Sequence, residues 1–474
     1  MLVLATCCMS LFIVGLDVTV VNVALPSIQH ELHASVSGLQ WVVAAYSLVI
    51  ASLLMLSGST ADRVGRRRIF QVGLALFTLG SLLCSLAPTL PALVAFRMIQ
   101  AIGGSMLNPV AMSIITNTFT ERAERAQAIG IWGGTVGLSM ALGPVVGGLL
   151  VGSVGWRSIF WVNIPVGIAA IVLTALFVPE SKAPTARRFD PVGQLLVMIT
   201  LAALVYGIIE GPGRGWTSPP ILACFSVAGA AGIGFAAYER RRDQPLLDTR
   251  FFRSLPFAGA TLIAVAAFAA LGGFLLLSTI YLQDVRGFSA LHAGLYMLPM
   301  AAMTAVCSPL SGQIVGSRGP RLPLLGAGVA LIVSAITLTR LAPGTTTISL
   351  VVSYLLFGLG FGLVNAPITN TAMAGMPTTQ AGVAAAVAST SRQVGSSLGV
   401  AVIGSVVVSA LSGPLRTGFA PASHVGWWVI AGCGGLVLVL GLLTTGAWAR
   451  RTAERVAAQF APPERPRDAQ PAGR

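Results

Sequence analysis

Apolar residues run along this chain in long blocks, and polar residues collect in short gaps between them. A helix needs about 20 mostly apolar residues to cross the hydrocarbon core of a bilayer. Moving that window along the sequence finds fourteen blocks: 2–25, 39–59, 69–87, 92–115, 127–150, 157–178, 192–210, 219–238, 256–281, 291–312, 322–341, 347–369, 382–408 and 425–448. Gly, Ala, Ser and Thr dilute the last three. The pattern predicts an all-α integral membrane protein with fourteen transmembrane helices.

Two polar segments organise the blocks. SGSTADRVGRRRIFQ (57–71), after span 2, is echoed by SGQIVGSRGPRLPLL (311–325), after span 10. Ser57/Ser311, Gly58/Gly312, Gly65/Gly319 and Arg67/Arg321 match at one offset of 254 residues. Eight spans separate the copies, so a six-span unit is repeated and two spans are inserted. Spans 7 and 8 are the natural insert, because KAPTARRFDP and YERRRDQPLLDTRFFR bracket them. Two related six-helix halves are a common transporter plan. The predicted units are a first bundle over 1–178, a linker with two inserted helices over 179–254, a second bundle over 255–448 and a disordered tail over 449–474. The Arg-, Pro- and Ala-rich tail shows no hydrophobic face.

Composition agrees with this reading. The 474 residues are 55% hydrophobic and only 9% charged, against about 25% charged in soluble domains. The net charge of +14 would by itself suggest nucleic acid. Its placement does not, since the basic residues lie in short gaps between spans. Gaps after even-numbered spans, with the tail, hold 22 Lys and Arg; the opposite gaps hold 5, and Arg97 and Arg392 fall inside spans. The positive-inside rule then puts both termini in the cytoplasm. The first span carries no basic n-region and is expected to be a retained helix, not a signal peptide. Six cysteines lie in apolar stretches without a CxxC pair, so neither metal nor disulfides are expected. No catalytic triad, deep carboxylate pair or nucleotide loop is present, and no segment is long enough for a nucleotide-binding domain.

The candidate chemistry lies in LFIVGLDVTVVNVALPSI (11–28), an apolar run interrupted by Asp17 and Asn22. On a helical wheel Thr6, Ser10, Asp17 and Ala24 share a stripe, which suits a bundle interior or a wet cavity. A charge at the bilayer centre costs at least roughly 2.5–3.5 kcal/mol, and intramembrane acids are functional by default. Burial favours the protonated acid, whereas a nearby guanidinium favours the carboxylate. A group under both influences suits proton exchange; a permanently hydrogen-bonded structural acid is the alternative. Arg97 in span 4 lies at a similar depth and is the expected partner, unless it snorkels to the headgroups. It shares a stripe with Gly104, Asn108 and Ala111.

GSTADRVGRRR (58–68) reads as a tight turn in which Asp62 either caps a helix or pairs with Arg66. A plain positive-inside anchor is the simpler alternative. In span 5, Gly133/Gly137 and Gly143/Gly147 are small-xxx-small pairs that let helices touch, and Pro144 interrupts the backbone ladder. This marks a contact seam, either gating or static. Asn22, Tyr46, Asn108, Trp132, Met300, Phe361 and Asn365 are candidate substrate-pocket residues, with helix packing the competing role for most of them.

Together these residues resemble the major facilitator superfamily, within it the fourteen-span drug:proton antiporters, over nearly the whole chain. LDVTVVNVALP (16–26) is similar to the family's first-span motif, and GSTADRVGRRR to its cytoplasmic loop signature, with Gly58, Asp62, Arg63, Gly65 and Arg66 in matching places. RMIQAIGGSMLNP (97–109) is similar to the motif around a membrane-embedded arginine, and GLSMALGPVVGG (137–148) to the antiporter motif of exporters. The second loop departs, carrying Gly316 where the first has Asp62.

The resemblance implies two six-helix bundles rocking about a central site in a bacterial-type plasma (inner) membrane. It implies proton coupling through Asp17 and Arg97, a conformational switch at Gly58, Asp62, Arg63, Gly65 and Arg66 that joins the bundles in one state, and a gating seam at Gly137, Gly143, Pro144, Gly147 and Gly148. It implies no cofactor beyond the proton gradient, and a monomer whose partners are protons, lipid and a small amphipathic substrate. Asp17 is the only acid placed deep in a span, so neutral or singly charged substrates are expected. A metabolite uptake carrier and a non-transporting sensor or scaffold are the rival readings.

Overall fold

A computed structural model describes residues 1–182, 190–242, 248–374 and 381–459; within helices, the side chains of 122, 123, 126, 133, 136, 137, 140, 141 and 381–383 fall outside that description. The first six helices are α1 (Leu2–Leu32), α2 (Val36–Val64), α3 (Arg66–Ser85), α4 (Leu90–Thr118), α5 (Arg122–Ser153) and α6 (Ser158–Phe177). Two more follow, α7 (Pro191–Arg214) and α8 (Pro219–Glu239). The second set is α9 (Leu255–Val285), α10 (Ala290–Arg318), α11 (Arg321–Leu338), α12 (Thr347–Met373), α13 (Ala381–Ala410) and α14 (Leu415–Thr444). Among the described residues thirteen of these helices are long and apolar enough to cross a membrane; in α5 the apolar piece is Leu142–Ser153. The chain is a multi-pass membrane protein, and its elements match the predicted spans in number and order.

Local chemistry sets the helix starts. Ser35, Thr89, Asp190, Ser289 and Thr346 each accept a hydrogen bond from the backbone N–H three residues on, capping α2, α4, α7, α10 and α12. Proline occupies the first turn of α4, α7, α8 and α9, where no N–H is needed. Several helices outrun the predicted spans. α1 continues through Pro26 to Leu32, and α14 begins ten residues before 425. An apolar window detects only the hydrocarbon-embedded part of a helix, and the ladder continues through the headgroup region.

Helices α1–α6 pack into one bundle and α9–α14 into a second. The bundles meet where α5 packs on α10 and where α2 packs on α13. The inserted α7 and α8 pack on each other, and α7 also contacts α2 and α13 beside the second seam. That seam is polar. Gln40, wholly buried, donates from Nε2 to the carbonyls of Val400 and Ala401, both at 2.9 Å. Ser397 Oγ donates to the Ala44 carbonyl at 3.2 Å. α7 joins both sides: Gln194 donates to the Ser52 carbonyl, Trp41 Nε1 donates to Glu210 at 2.8 Å, and Ser405 Oγ donates to the Ile208 carbonyl at 2.8 Å. Gln40→Leu is expected to weaken this seam by about 1 kcal/mol, the net worth of a typical buried hydrogen bond. The check is the thermal midpoint of the purified protein in detergent, which should fall; an unchanged midpoint would show that the amide contributes nothing.

The disordered tail expected from 449 is corrected over part of its length. A further helix, α15 (Ala447–Gln459), follows α14 directly; the tail beyond it lies outside the described residues. Ala449, Ala453 and Val456 recur at helical spacing and are buried where α15 meets α9, and Thr452 Oγ1 accepts from the Leu255 N–H at 3.0 Å. Two alanines and one valine make too weak a stripe to register as an apolar face. They suffice once a neighbouring helix end supplies the other surface.

Candidate functional site: a buried ion pair and a one-sided seam

The expected stripe on α1 faces inward: Thr6, Ser10, Asp17 and Ala24 are all buried. Arg97 reaches Asp17 from α4, with Nη1 2.5 Å from Oδ2, and both side chains are 1% exposed. A charge pair this deep needs every lone pair satisfied. Arg97 Nη1 also donates to Gln100 Oε1 at 2.6 Å, Nε donates to the Val42 carbonyl at 3.3 Å, and the guanidinium lies 4.0 Å over the Tyr46 ring. On the other oxygen, Asp17 Oδ1 accepts from Gln100 Nε2 at 2.9 Å and from Asn163 Nδ2 at 3.2 Å. Ser81 Oγ ties Gln100 and Asn163 together at 2.8 and 3.3 Å. Four helices, α1, α3, α4 and α6, thus converge on one carboxylate.

Gln100, Ser81 and Asn163 escaped the sequence reading. Gln100 carried a signal, since it stands three residues from Arg97 on the same face. A second lay in Gly80: a Cβ there would come within 2.6 Å of the Gln100 backbone nitrogen, so only glycine lets α3 bring Ser81 so close to α4. Asn163 carried none, because its approach depends on how α6 packs.

The loop between α2 and α3 turns at Gly65, whose φ of 132° disfavours any residue with a Cβ. Of the two alternatives for Asp62, pairing is observed: Arg66 Nη2 lies 2.9 Å from Oδ1. The Arg66 N–H donates to the Ser181 carbonyl at 2.9 Å, and Glu180 meets the Arg67 N–H at 3.1 Å and Arg68 at 3.7 Å. These contacts tie the hairpin to the end of its own bundle; the inter-bundle contact that the resemblance implied is not among the described ones. Arg63 also makes an interaction within the structure. A Cβ on Gly58 would find ordinary contact with Pro109.

The seam on α5 has two faces. A Cβ on Gly143 would overlap Thr19, and one on Gly147 would lie 3.2 Å from Val20, both on α1 of the same bundle. Gly148 and Pro144 face the other bundle. A Cβ on Gly148 would come within 2.6 Å of the Ala290 carbonyl oxygen, and one on Gly294 would overlap the Pro144 carbonyl. The surroundings of Gly133 and Gly137 lie outside the described residues.

Contacts between the bundles gather at the arginine-poor end. Besides the α5–α10 approach there and the Gln40 bonds, Gln283 Nε2 donates to the Val23 carbonyl at 2.8 Å and His30 lies 3.4 Å from Asp284. Gly312 lies five full turns from Gly294, and Gly130 about four turns from Pro144, so both return to the seam faces. Neither would meet a described atom within 4 Å of an added Cβ. Among the described residues, the contacts that join the bundles thus lie toward the arginine-poor end.

Three candidate pocket residues lie buried in helix contacts. Tyr46 is 1% exposed beneath Arg97, Met300 is 3% exposed with its backbone against Gly358, and Phe361 is fully buried against Phe268 at 5.1 Å. Aromatic and soft residues on core spans serve helix contact as readily as ligand contact. Asn22 donates to the Val18 carbonyl at 2.7 Å, yet its Oδ1, like Asn108 Oδ1 and Trp132 Nε1, is buried without a protein partner. Asn365 donates to the Phe361 carbonyl at 3.3 Å, and its own carbonyl accepts from Arg392 at 3.4 Å.

Two related six-helix bundles joined along a seam, with a charge pair buried in one of them, define a membrane transporter fold. Residues 7–400 match the Major Facilitator Superfamily model, and the chain belongs to that family. It is 40% identical over 408 residues to the multidrug resistance protein Stp of Mycobacterium tuberculosis, covering 86% of this chain and 76% of that one. It is 36% identical over 401 residues to the tetracenomycin C resistance and export protein of Streptomyces glaucescens (84% and 74% covered). The methylenomycin A resistance protein of Streptomyces coelicolor is 36% identical over 398 residues, covering 83% of each. Among solved structures, a peptide transporter POT in complex with sulfate superposes with a TM-score of 0.67 over 96% of this chain and 95% of that one; at 17% identity it speaks for the fold alone.

Proposed function

We propose that this chain is a proton-coupled antiporter that exports amphipathic drugs or antibiotics from the cytoplasm by alternating access. On this reading it sits in the plasma membrane with both termini cytoplasmic, works as a monomer, catalyses no covalent chemistry and uses no cofactor other than the proton gradient. The names of its relatives, multidrug and antibiotic resistance and export proteins, support export over uptake.

The observation that carries the coupling is the donor set around Asp17. Arg97, Gln100 and Asn163 present only N–H donors to its two oxygens. An ionised carboxylate, which only accepts, suits that shell; a protonated one would aim its own donor at another. The conformation with the arginine-poor end sealed is then the deprotonated one, open to the cytoplasm. Opening the sealed end would expose Asp17 to external protons. Protonation removes the charge that holds Arg97, so the four helices meeting at this point repack, and the acid carries its proton inward on the return.

A panel of amphipathic compounds offered to everted membrane vesicles with a preset pH gradient tests this. Cargo should load the vesicles and dissipate the gradient, and Asp17→Asn vesicles should do neither. Accumulation in intact cells instead of efflux would favour uptake, and no gradient-linked movement of any compound would favour a sensor.

A further inference from the structure

Two arginines lie inside the spans, and the protein treats them oppositely. Arg97 has a carboxylate, an amide oxygen, a carbonyl and a ring. Arg392, in α13, has only neutral company: Nη2 donates to Thr369 Oγ1 at 2.6 Å and to the Asn365 carbonyl at 3.4 Å, and the guanidinium carbon lies 6.0 Å from the centre of the Phe268 ring. Its Nε is buried and finds no acceptor among the described residues. The residue as a whole is only half-buried, so a ligand can reach it. Among the described residues no carboxylate lies within ion-pair distance.

The deficit extends over five of the bundle's six helices. No Asp or Glu occurs between Asp284 and Glu454, so helices α10–α14 and all the segments joining them contain none. Helices α10–α14 therefore hold a cation that they cannot neutralise, in a medium where an unpaired charge is expensive; the bundle's one acid, Asp284, ends α9 at the arginine-poor end beside His30. Arg392 stands eleven residues into α13, at a depth of about 16 Å from the arginine-rich end. By the same count Asn365, Asn108 and Trp132 lie about 12–15 Å from that end. Two of these also carry buried polar atoms without a protein partner, Asn108 Oδ1 and Trp132 Nε1. Asn108 Oδ1 and Trp132 Nε1 thus lie at the level of the guanidinium.

We propose that Arg392 is the docking point for an acidic group on the cargo, a carboxylate, phenolate or enolate borne by an amphipathic molecule. This rests on the carrier reading above, and it narrows the expected cargo from neutral or singly charged compounds to organic anions. A guanidinium presents parallel N–H donors that match a carboxylate's two oxygens, and the Phe268 ring beside it offers apolar surface to the rest of the molecule.

The test is binding of 1-pyrenebutyrate and of its uncharged methyl ester to the purified full chain, followed by fluorescence anisotropy in discs of zwitterionic lipid, where no anionic headgroup competes. Wild type should bind the acid roughly tenfold or more tightly than the ester. Arg392→Gln should erase that preference by weakening the acid alone, and Arg392→Lys, which keeps the charge, should restore part of it. Equal wild-type affinity for acid and ester would overturn the proposal. So would an Arg392→Gln protein that stays monodisperse and keeps the preference, or that loses both ligands equally. Binding is read without a gradient. A protein that selects the acid but shows no proton-driven export would therefore sink the export reading and leave this one standing.

Discussion

Asp17→Asn is expected to reduce gradient-driven export to the background of vesicles lacking the protein, while substrate-for-substrate exchange survives. The asparagine keeps the shape of the side chain and removes the proton site. Its amide also presents an N–H where Arg97, Gln100 and Asn163 already offer donors, so it imitates the protonated acid more closely than the carboxylate. A carrier fixed in that form can still alternate, but it cannot be driven. Gradient-linked transport and counterflow, measured on the same vesicles, separate these two properties. Loss of both with normal folding would mean the acid supports the structure and not the coupling. Arg97→Met is the complementary change. It strands an ionised carboxylate among four helices, and breaking a buried pair in this way typically costs about 3–5 kcal/mol. Its main effect should therefore be lost stability, visible as a fall in thermal midpoint far larger than that of Asp17→Asn.

The second large effect is expected at the sealed end of the α5–α10 seam. Gly294→Val places a branched side chain against the Pro144 carbonyl, and Gly148→Val places one against the Ala290 carbonyl, which a Cβ at that position would approach to 2.6 Å. Neither obstacle is a flexible side-chain end, so the helices themselves must part. Each substitution lies in a contact of the sealed end, and should shift the population toward opening at that end. Export should fall sharply although the Asp17 network is intact. Spin labels near the arginine-poor ends of α5 and α10 should report a longer distance in the variants than in wild type. An unchanged distance distribution, or wild-type transport, would show that the seam tolerates bulk and does not gate. A double variant should add little to either single one, because both relieve the same contact.

Much of the fold was legible because a bilayer restricts the answer so severely. Every backbone group must be bonded within its own segment, so long apolar runs mean helices and short basic gaps mean turns. The repeated loop at an offset of 254 residues and its bracketed insert fixed the helix order, and the same helices then pack as two bundles with an inserted pair. Asp17 and Arg97 were legible for a related reason: an ionisable group in hydrocarbon is costly enough to be present for a purpose, and matching depths on α1 and α4 made them partners. The tail was misread because α15 docks through Ala449, Ala453 and Val456, side chains too small to stand out by hydropathy.

By itself, then, the sequence determined the membrane class, the helix order, the motif positions and the pairing of one buried acid with one buried base, because each follows from local composition or from the cost of charge in oil. Tertiary structure alone decided which residues complete the shell around Asp17, that Tyr46, Met300 and Phe361 are buried in helix contacts, where the α5–α10 seam makes its contacts, and that among the described residues Arg392 has no counter-charge. Those depend on distances between helices far apart in the chain, set by where glycines permit backbones to touch, and no periodicity along a single helix encodes such distances.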